Sequence, residues 1–296
     1  MKVRISLAWP DDPSAIGVDV AHQAQMADIS GIDSVWTADH LFQFQVTGKP
    51  PEAPMLEAYT ALSFVAGLTM RVTVGALVTC ATYRPPGLLL KSVSTLDVLT
   101  GGRVVLGLGA GWYEREARGL GLPFSTRLGE RYGVLEETLR LAHQMWNDDE
   151  APFEGAHLHL EQPLNRPRLG RRPPILVGGS GERRTLPLVA RWADACNLFD
   201  LAPPFNLDLR HKIDVLRTHC ETIDRNPAEI EITVIRSPDL TQPHGAGELV
   251  KRAEELAALG VSHVILSGPT FEWGPTIDLL ADHVDSLHAI TPAPLS

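Results

Sequence analysis

The stretch Gly101-Gly102-Arg103-Val104-Val105-Leu106-Gly107-Leu108-Gly109-Ala110-Gly111-Trp112 decides how the rest of the chain is read. Val104 to Leu108 is apolar and rich in β-branched residues, the composition of a strand buried on both faces. The run ends in Gly107, Gly109 and Gly111, with the bulky Trp112 directly behind them. Glycines at a strand exit let a large flat group approach main chain where a Cβ would collide. A strand that finishes as a ligand platform belongs in an α/β enzyme.

Short β-type runs recur at Val3–Leu7, Ser34–Thr37, Val72–Val78, Val104–Leu108, Ile175–Val177, Ala195–Leu198, Ile230–Ile235 and His263–Leu266. Helix-patterned stretches lie between them, near 15–30, 57–69, 86–99, 128–147, 183–192, 208–224, 246–259 and 275–289. In the clearest of these, Leu135, Leu139, Ala142 and Trp146 fall on one helical face. Gly31 and Gly260 each follow a helix pattern at the usual C-terminal capping position. Eight strand-then-helix units are the count of a (β/α)8 TIM barrel. A doubly wound sheet shares the alternation, because periodicity cannot show closure. Residues 149–174 break the rhythm with a hairpin-like Phe153–Leu160 and a Pro/Arg-rich loop, read as a small insertion after the fourth helix. The whole chain, 1–296, is expected to be one domain.

Bulk properties narrow the function. A net charge of −10 opposes a nucleic-acid partner. Seven arginines between Arg166 and Arg191 form either a solvated face or a local funnel for an anionic small molecule. Three cysteines with no Cys-x-x-Cys spacing argue for a reducing compartment and against a thiolate metal site. No window is long and apolar enough to span a bilayer. The expectation is a cytoplasmic protein with no membrane and no metal.

In a parallel barrel the reactive groups sit at the C-terminal strand ends. Strand two exits through Asp39-His40, where a histidine can exchange a proton near neutral pH or merely anchor the loop. Gly75, inside the third strand, marks a bulge or a tight helix contact. Trp112 is read as a pocket wall. Gly178-Gly179-Ser180-Gly181 precedes a helix, and its free N–H groups suit a phosphate. The alternative is ordinary capping, with Ser180 as N-cap. His157 and His159 share a face of the hairpin, but nothing completes a metal ligand set.

Together these residues resemble the luciferase-like monooxygenase superfamily, in the branch that uses coenzyme F420, a deazaflavin. The matching elements are Ser34–His40, Gly75–Thr79 with Arg84 and Pro85, Leu96–Arg103, Gly107–Trp112 with Glu116, Gly129–Arg131, and Ile175–Gly181 with Ala193 and Asp194. They run in the family's order over about the first two hundred residues.

The resemblance implies a cofactor ring seated at the barrel's C-terminal face. A bulge carrying a non-proline cis peptide at Gly75-Ala76 would support the ring. Asp39, Val78 and the backbone of Gly109, Ala110 and Gly111 would contact the ring and its side chain, and Gly178 and Gly179 would hold the phosphate. His40 aligns with a histidine used in proton handling. Relatives that oxidise a sugar phosphate carry an acid where Trp112 stands, and an indole cannot donate that proton.

The sequence is therefore read as an oxidoreductase passing a hydride between coenzyme F420 and a small organic substrate. His40 and Trp112 are its candidate catalytic pair, and the resemblance implies a homodimer. The rivals are an FMN-dependent monooxygenase fed by a partner reductase, a non-catalytic cofactor carrier, and a metal-dependent hydrolase.

Overall fold

The computed structural model describes residues 1–44, 48–201, 206–240, 242, 244–267 and 274–295. Five strands open the chain: β1 (Lys2–Ser6), β2 (Ser34–Thr37), β3 (Thr73–Ala76), β4 (Thr79–Cys80) and β5 (Val104–Gly109). A short antiparallel pair follows, β6 (Phe153–Glu154) and β7 (His159–Leu160). The last four are β8 (Ile175–Gly178), β9 (Ala195–Phe199), β10 (Glu231–Arg236) and β11 (Val261–Leu266).

All the strands outside the β6–β7 hairpin pair in parallel, and β1 hydrogen-bonds to both β2 and β11. The remaining seam is closed by β5, whose first half pairs with β3 and whose second half pairs with β4. With β3 and β4 counted as one interrupted strand, the sheet is an eight-stranded closed barrel. Closure removes the doubly wound alternative.

The helices wrap outside: α1 (Pro13–Ile29), α2 (Ala58–Leu68), α3 (Pro86–Leu99), α4 (Glu114–Gly119), α5 (Leu128–Trp146), α6 (Thr185–Trp192), α7 (Leu209–Glu221), α8 (Gly245–Ala257), α9 (Gly274–Ala281) and α10 (Val284–His288). Their starts follow local chemistry. Asp12 accepts from Ser14 N ahead of Pro13, and Asp208 accepts from His211 N. Gly31 and Gly260 return the chain with φ of +84° and +88°, as their positions in the sequence predict. The β6–β7 hairpin occupies the expected insertion after α5. Glu137 holds its turn by accepting from Ala156, His157 and Leu158 N.

Alternation along the strands splits the core in two. Val35, Val74, Leu106, Leu108, Val177 and Val234 pack outward under the helices. Trp36, Leu176, Ala195 and Ile265 fill the barrel interior, with Leu77, Val78, Val105 and Ile235 against them.

The non-proline cis peptide lies at Leu77–Val78, not at Gly75-Ala76. Gly75 has a packing role, because a Cβ there would come 2.6 Å from Trp36 Cζ3. The third strand therefore breaks two residues later than its lone glycine suggests.

The glycines of β5 and β8 make room for that break. A Cβ on Gly107 would run into the Ala76 carbonyl oxygen. One on Gly109 would lie 2.6 Å from Val78 Cγ2, and one on Gly178 would lie 2.8 Å from Val78 Cγ1. Gly107→Ala is therefore expected to destabilise the barrel by about 1–3 kcal/mol, since the obstructing atom is backbone. A urea midpoint unchanged from wild type would contradict this packing account.

Candidate active site

Four strand exits meet at the C-terminal end of the barrel, and each delivers residues singled out above. From β2 come Asp39 and His40. The β3–β4 break delivers Val78, with Tyr83 and Arg84 just beyond β4. Ala110, Gly111 and Trp112 follow β5, and Gly178 to Gly181 follow β8.

Their burial differs. Asp39, Gly75, Ala76 and Gly109 are buried, whereas His40, Val78, Ala110, Gly111, Gly178, Gly179 and Ser180 are partly exposed. Gly181 and Trp112 are exposed. The first group supports the surface that the second presents.

His40 is held by a residue far along the chain. Its Nδ1 lies 2.7 Å from Oε1 of Glu116, a fully buried carboxylate on α4. The same Oε1 accepts from Tyr83 Oη at 2.6 Å. Oε2 accepts from Leu41 N at 2.7 Å and Phe42 N at 3.1 Å, which pins the loop after β2. Burial alone would raise the Glu116 pKa, but the hydrogen bonds from His40, Tyr83 and Leu41 N outweigh it and hold the carboxyl below its ordinary range. An ionised carboxylate only accepts, so Nδ1 of His40 must carry a proton. Nε2 is then the ring nitrogen left to exchange one.

Burial and the bond to Glu116 push the Tyr83 phenol up, so it stays a donor. A carboxyl with a depressed folded pKa stabilises the fold above its unfolded value, near pH 4, and that contribution disappears as pH falls through the folded value. Denaturation midpoints against pH should therefore show a larger acid-side loss in wild type than in Glu116→Gln; parallel curves would refute it.

A second network lies beneath the first. Arg84 donates to both oxygens of Asp39, at 2.7 and 2.8 Å, and its Nη2 also reaches Glu57. Cys80 N donates to Asp39 at 3.0 Å. Burial pushes the Asp39 carboxyl up, against the pull of Arg84 and the Cys80 amide. Glu57 also caps α2 by accepting from Thr60 N, which ties a helix start to the strand exits. The Arg84 guanidinium sits 5.0 Å over the Tyr59 ring.

The exit of β8 departs from expectation. Helix α6 begins at Thr185 with Arg184 as N-cap and no side-chain capping bond. Ser180 is therefore not the cap. Glu182 turns away to Lys212 and His211 of α7, at 2.5 and 3.0 Å. Beyond Gly178, the last residue of β8, Gly179 takes φ +118° and donates to Asn197 O, and the turn that precedes the helix falls at 182–184.

The arginine-rich stretch does not form one funnel. Arg172 pairs with Asp194 and Arg168 with Asp148, while Arg171 reaches Gly102 O at the opposite, N-terminal end of the barrel. Among the described residues, no three His, Cys, Asp or Glu side chains stand close enough to share a metal ion. Nor is any described helix long and apolar enough to cross a membrane.

Glu116, Tyr83 and Arg84 organise this site; the sequence places Arg84 and Glu116 within the matching motifs but assigns none of the three a role. Glu116 and His40 are 76 positions apart, and only the closed barrel joins them. The available signal was an acidic residue four positions after Trp112, directly behind the glycine platform.

A closed barrel whose titratable and glycine-lined exits converge on its C-terminal face defines an enzyme of the (β/α)8 class. The model of the luciferase-like monooxygenase family matches residues 10–265, and the chain belongs to that family.

It is 30% identical over 176 residues to an F420-dependent glucose-6-phosphate dehydrogenase of Amycolatopsis mediterranei, covering 59% of this chain and 50% of that protein. It is 31% identical over 176 residues to an F420-dependent hydroxymycolic acid dehydrogenase of Mycobacterium tuberculosis, covering 59% and 47%. The chain thus matches about half the length of these curated relatives. Among solved structures, a long-chain alkane monooxygenase superposes with a TM-score of 0.78 at 14% identity, covering 99% of this chain and 92% of that one. That likeness concerns the fold.

Proposed function

We propose that the chain is a coenzyme F420-dependent oxidoreductase in which His40 is the acid/base. The observation that carries this reading is the His40–Glu116–Tyr83 cluster beside the bare glycine exits of β5 and β8. The choice of F420 over FMN is supported by two relatives near 30% identity that carry F420 in their names.

The residues fit such a group. Ala110, Gly111 and Gly178 to Ser180 are partly exposed, and most of them lack a side chain to bar a flat ring or a phosphate. Val78 projects between the two exits. Ring contact would fall to Val78 and the Gly109–Gly111 main chain, and phosphate contact to Gly178, Gly179, Ser180 and Gly181. Asp39 braces the platform through Cys80 N. When bound, the deazaflavin supplies or accepts a hydride and so carries the two-electron chemistry.

The chain's own task is to orient the reactants and handle one proton. Glu116 fixes the His40 ring through Nδ1. Nε2 then takes a proton from the substrate oxygen as it becomes a carbonyl, or returns one in reduction. Rapid mixing of cofactor-loaded enzyme with substrate should show hydride transfer in His40→Ala slowed by about 10²–10³-fold. An unchanged rate would remove His40 from the chemistry.

We also read the working unit as a homodimer. Phe64 and Leu68 on α2, Met70 just beyond it, and Leu88 and Leu99 on α3 are exposed apolar side chains. Sedimentation equilibrium giving a monomer mass would refute this.

A further inference from the structure

We infer that the substrate is an uncharged molecule with a planar apolar group beside its reacting oxygen, an aryl carbinol or the matching ketone, and not a phosphorylated sugar. This rests on the F420-linked reading above and adds which class of molecule is turned over. The first observation is an aromatic wall around the proton-exchanging ring. Trp112 is 58% exposed although it stands at the exit of a strand that is almost wholly buried. Its indole stacks on Tyr113, with centroids 5.0 Å apart and planes at 21°. It meets His40 edge-on at 5.3 Å and Phe44 at 6.0 Å, while Phe44 lies 4.1 Å from His40. A hydrated indole beside the reacting group gains most when another flat apolar surface covers it.

The second observation is charge, and it is independent of the first. A substrate phosphate is anchored by a guanidinium fork or ammonium that is free to face it. The arginines flanking this wall already face carboxylates: Arg84 faces Asp39 and Glu57, Arg115 faces Glu52 at 3.0 Å, and Arg118 faces Glu114 at 2.6 Å. Trp112 itself has no ionisable group. The wall therefore selects for apolar area, and among the described residues Nε2 of His40 is the polar atom placed to meet a reacting oxygen.

The reaction balances on those parts. In oxidation the carbinol C–H bond breaks and its electron pair leaves with hydrogen as hydride for the cofactor. The hydroxyl proton passes to His40 Nε2, and the C=O bond forms. The substrate loses two electrons and the cofactor gains them; reduction runs the same steps backwards.

The test uses the full chain with F420 and three probes: 1-phenylethanol, acetophenone and glucose 6-phosphate. Cofactor binding is titrated first without substrate, and its absence would overturn the cofactor reading on its own. With the cofactor bound, saturation-transfer NMR should detect acetophenone in wild type and lose it in Trp112→Ala. Steady-state rates should show oxidation of 1-phenylethanol and none of glucose 6-phosphate. Trp112→Ala should raise KM for 1-phenylethanol by about tenfold, and more than it lowers kcat, with partial recovery in Trp112→Phe. An F420-binding protein that oxidises glucose 6-phosphate would overturn the substrate class. So would one that oxidises neither probe, or an unchanged KM in Trp112→Ala.

Discussion

Glu116→Gln is expected to lower kcat by about 10²–10⁴-fold while leaving cofactor affinity within about threefold of wild type. The carboxamide nearly preserves volume, so the barrel should still close. What changes is the proton inventory. Glu116 accepts from four donors: His40 Nδ1, Tyr83 Oη, Leu41 N and Phe42 N. A glutamine offers one acceptor oxygen and turns an NH2 towards one of those donors. If the NH2 faces His40, Nδ1 must accept and the proton moves to Nε2, which is the wrong tautomer for taking a proton from substrate. Glu116→Ala removes the acceptor altogether and leaves buried donors unpaired, at a cost of about 3–5 kcal/mol in stability. Kinetics and urea denaturation of the two variants separate the roles. A glutamine variant with wild-type turnover would show that the ring needs no such orientation.

Arg84→Met carries the second large effect. Asp39 is buried, and its two oxygens are matched by the Arg84 fork. Removing the cation leaves a carboxylate that must either stay charged in apolar surroundings or take up a proton. The expected loss is about 3–5 kcal/mol at pH 7. The sign with pH follows from the proton. Without Arg84 the folded Asp39 pKa lies far above its unfolded value, so the variant binds the proton more tightly when folded. Its deficit should be smallest near pH 4 and should grow as pH rises to 7. Adding Asp39→Asn to Arg84→Met should recover part of the loss and flatten the dependence. A deficit independent of pH, with no recovery in the double variant, would contradict the pairing.

What could be read from the chain depended on whether the signal was local. The β-rich run at 104–108 and the helical spacing of Leu135, Leu139, Ala142 and Trp146 are local, and β5 and α5 form where they predict. Gly31 and Gly260 were legible because a left-handed cap is decided by one residue and its neighbours. Closure was not legible, since it depends on β1 meeting β11 some 260 positions away. The break at Leu77–Val78 was misplaced onto Gly75 because a glycine is the visible mark of irregular backbone. Here that glycine answers to Trp36, and the irregular bond falls between two side chains of ordinary propensity. Ser180 looked like a cap because sequence shows the residue type and not the turn that displaces the helix start to Thr185. The His40–Glu116 pair was hidden for the same reason as closure. Each residue is visible, but the contact exists only between the exits of β2 and β5, which flank the interrupted β3–β4 strand.

The account depends most on the exits of β5 and β8 receiving a deazaflavin, and a cofactor titration tests this most directly. Oxidised F420 and FMN would each be titrated into the purified chain and into Gly179→Asp, followed by tryptophan fluorescence. The account predicts saturable F420 binding, at least about tenfold tighter than FMN, and weakened about tenfold or more by a carboxylate placed at residue 179. Tighter binding of FMN, or F420 binding indifferent to Gly179→Asp, would contradict it.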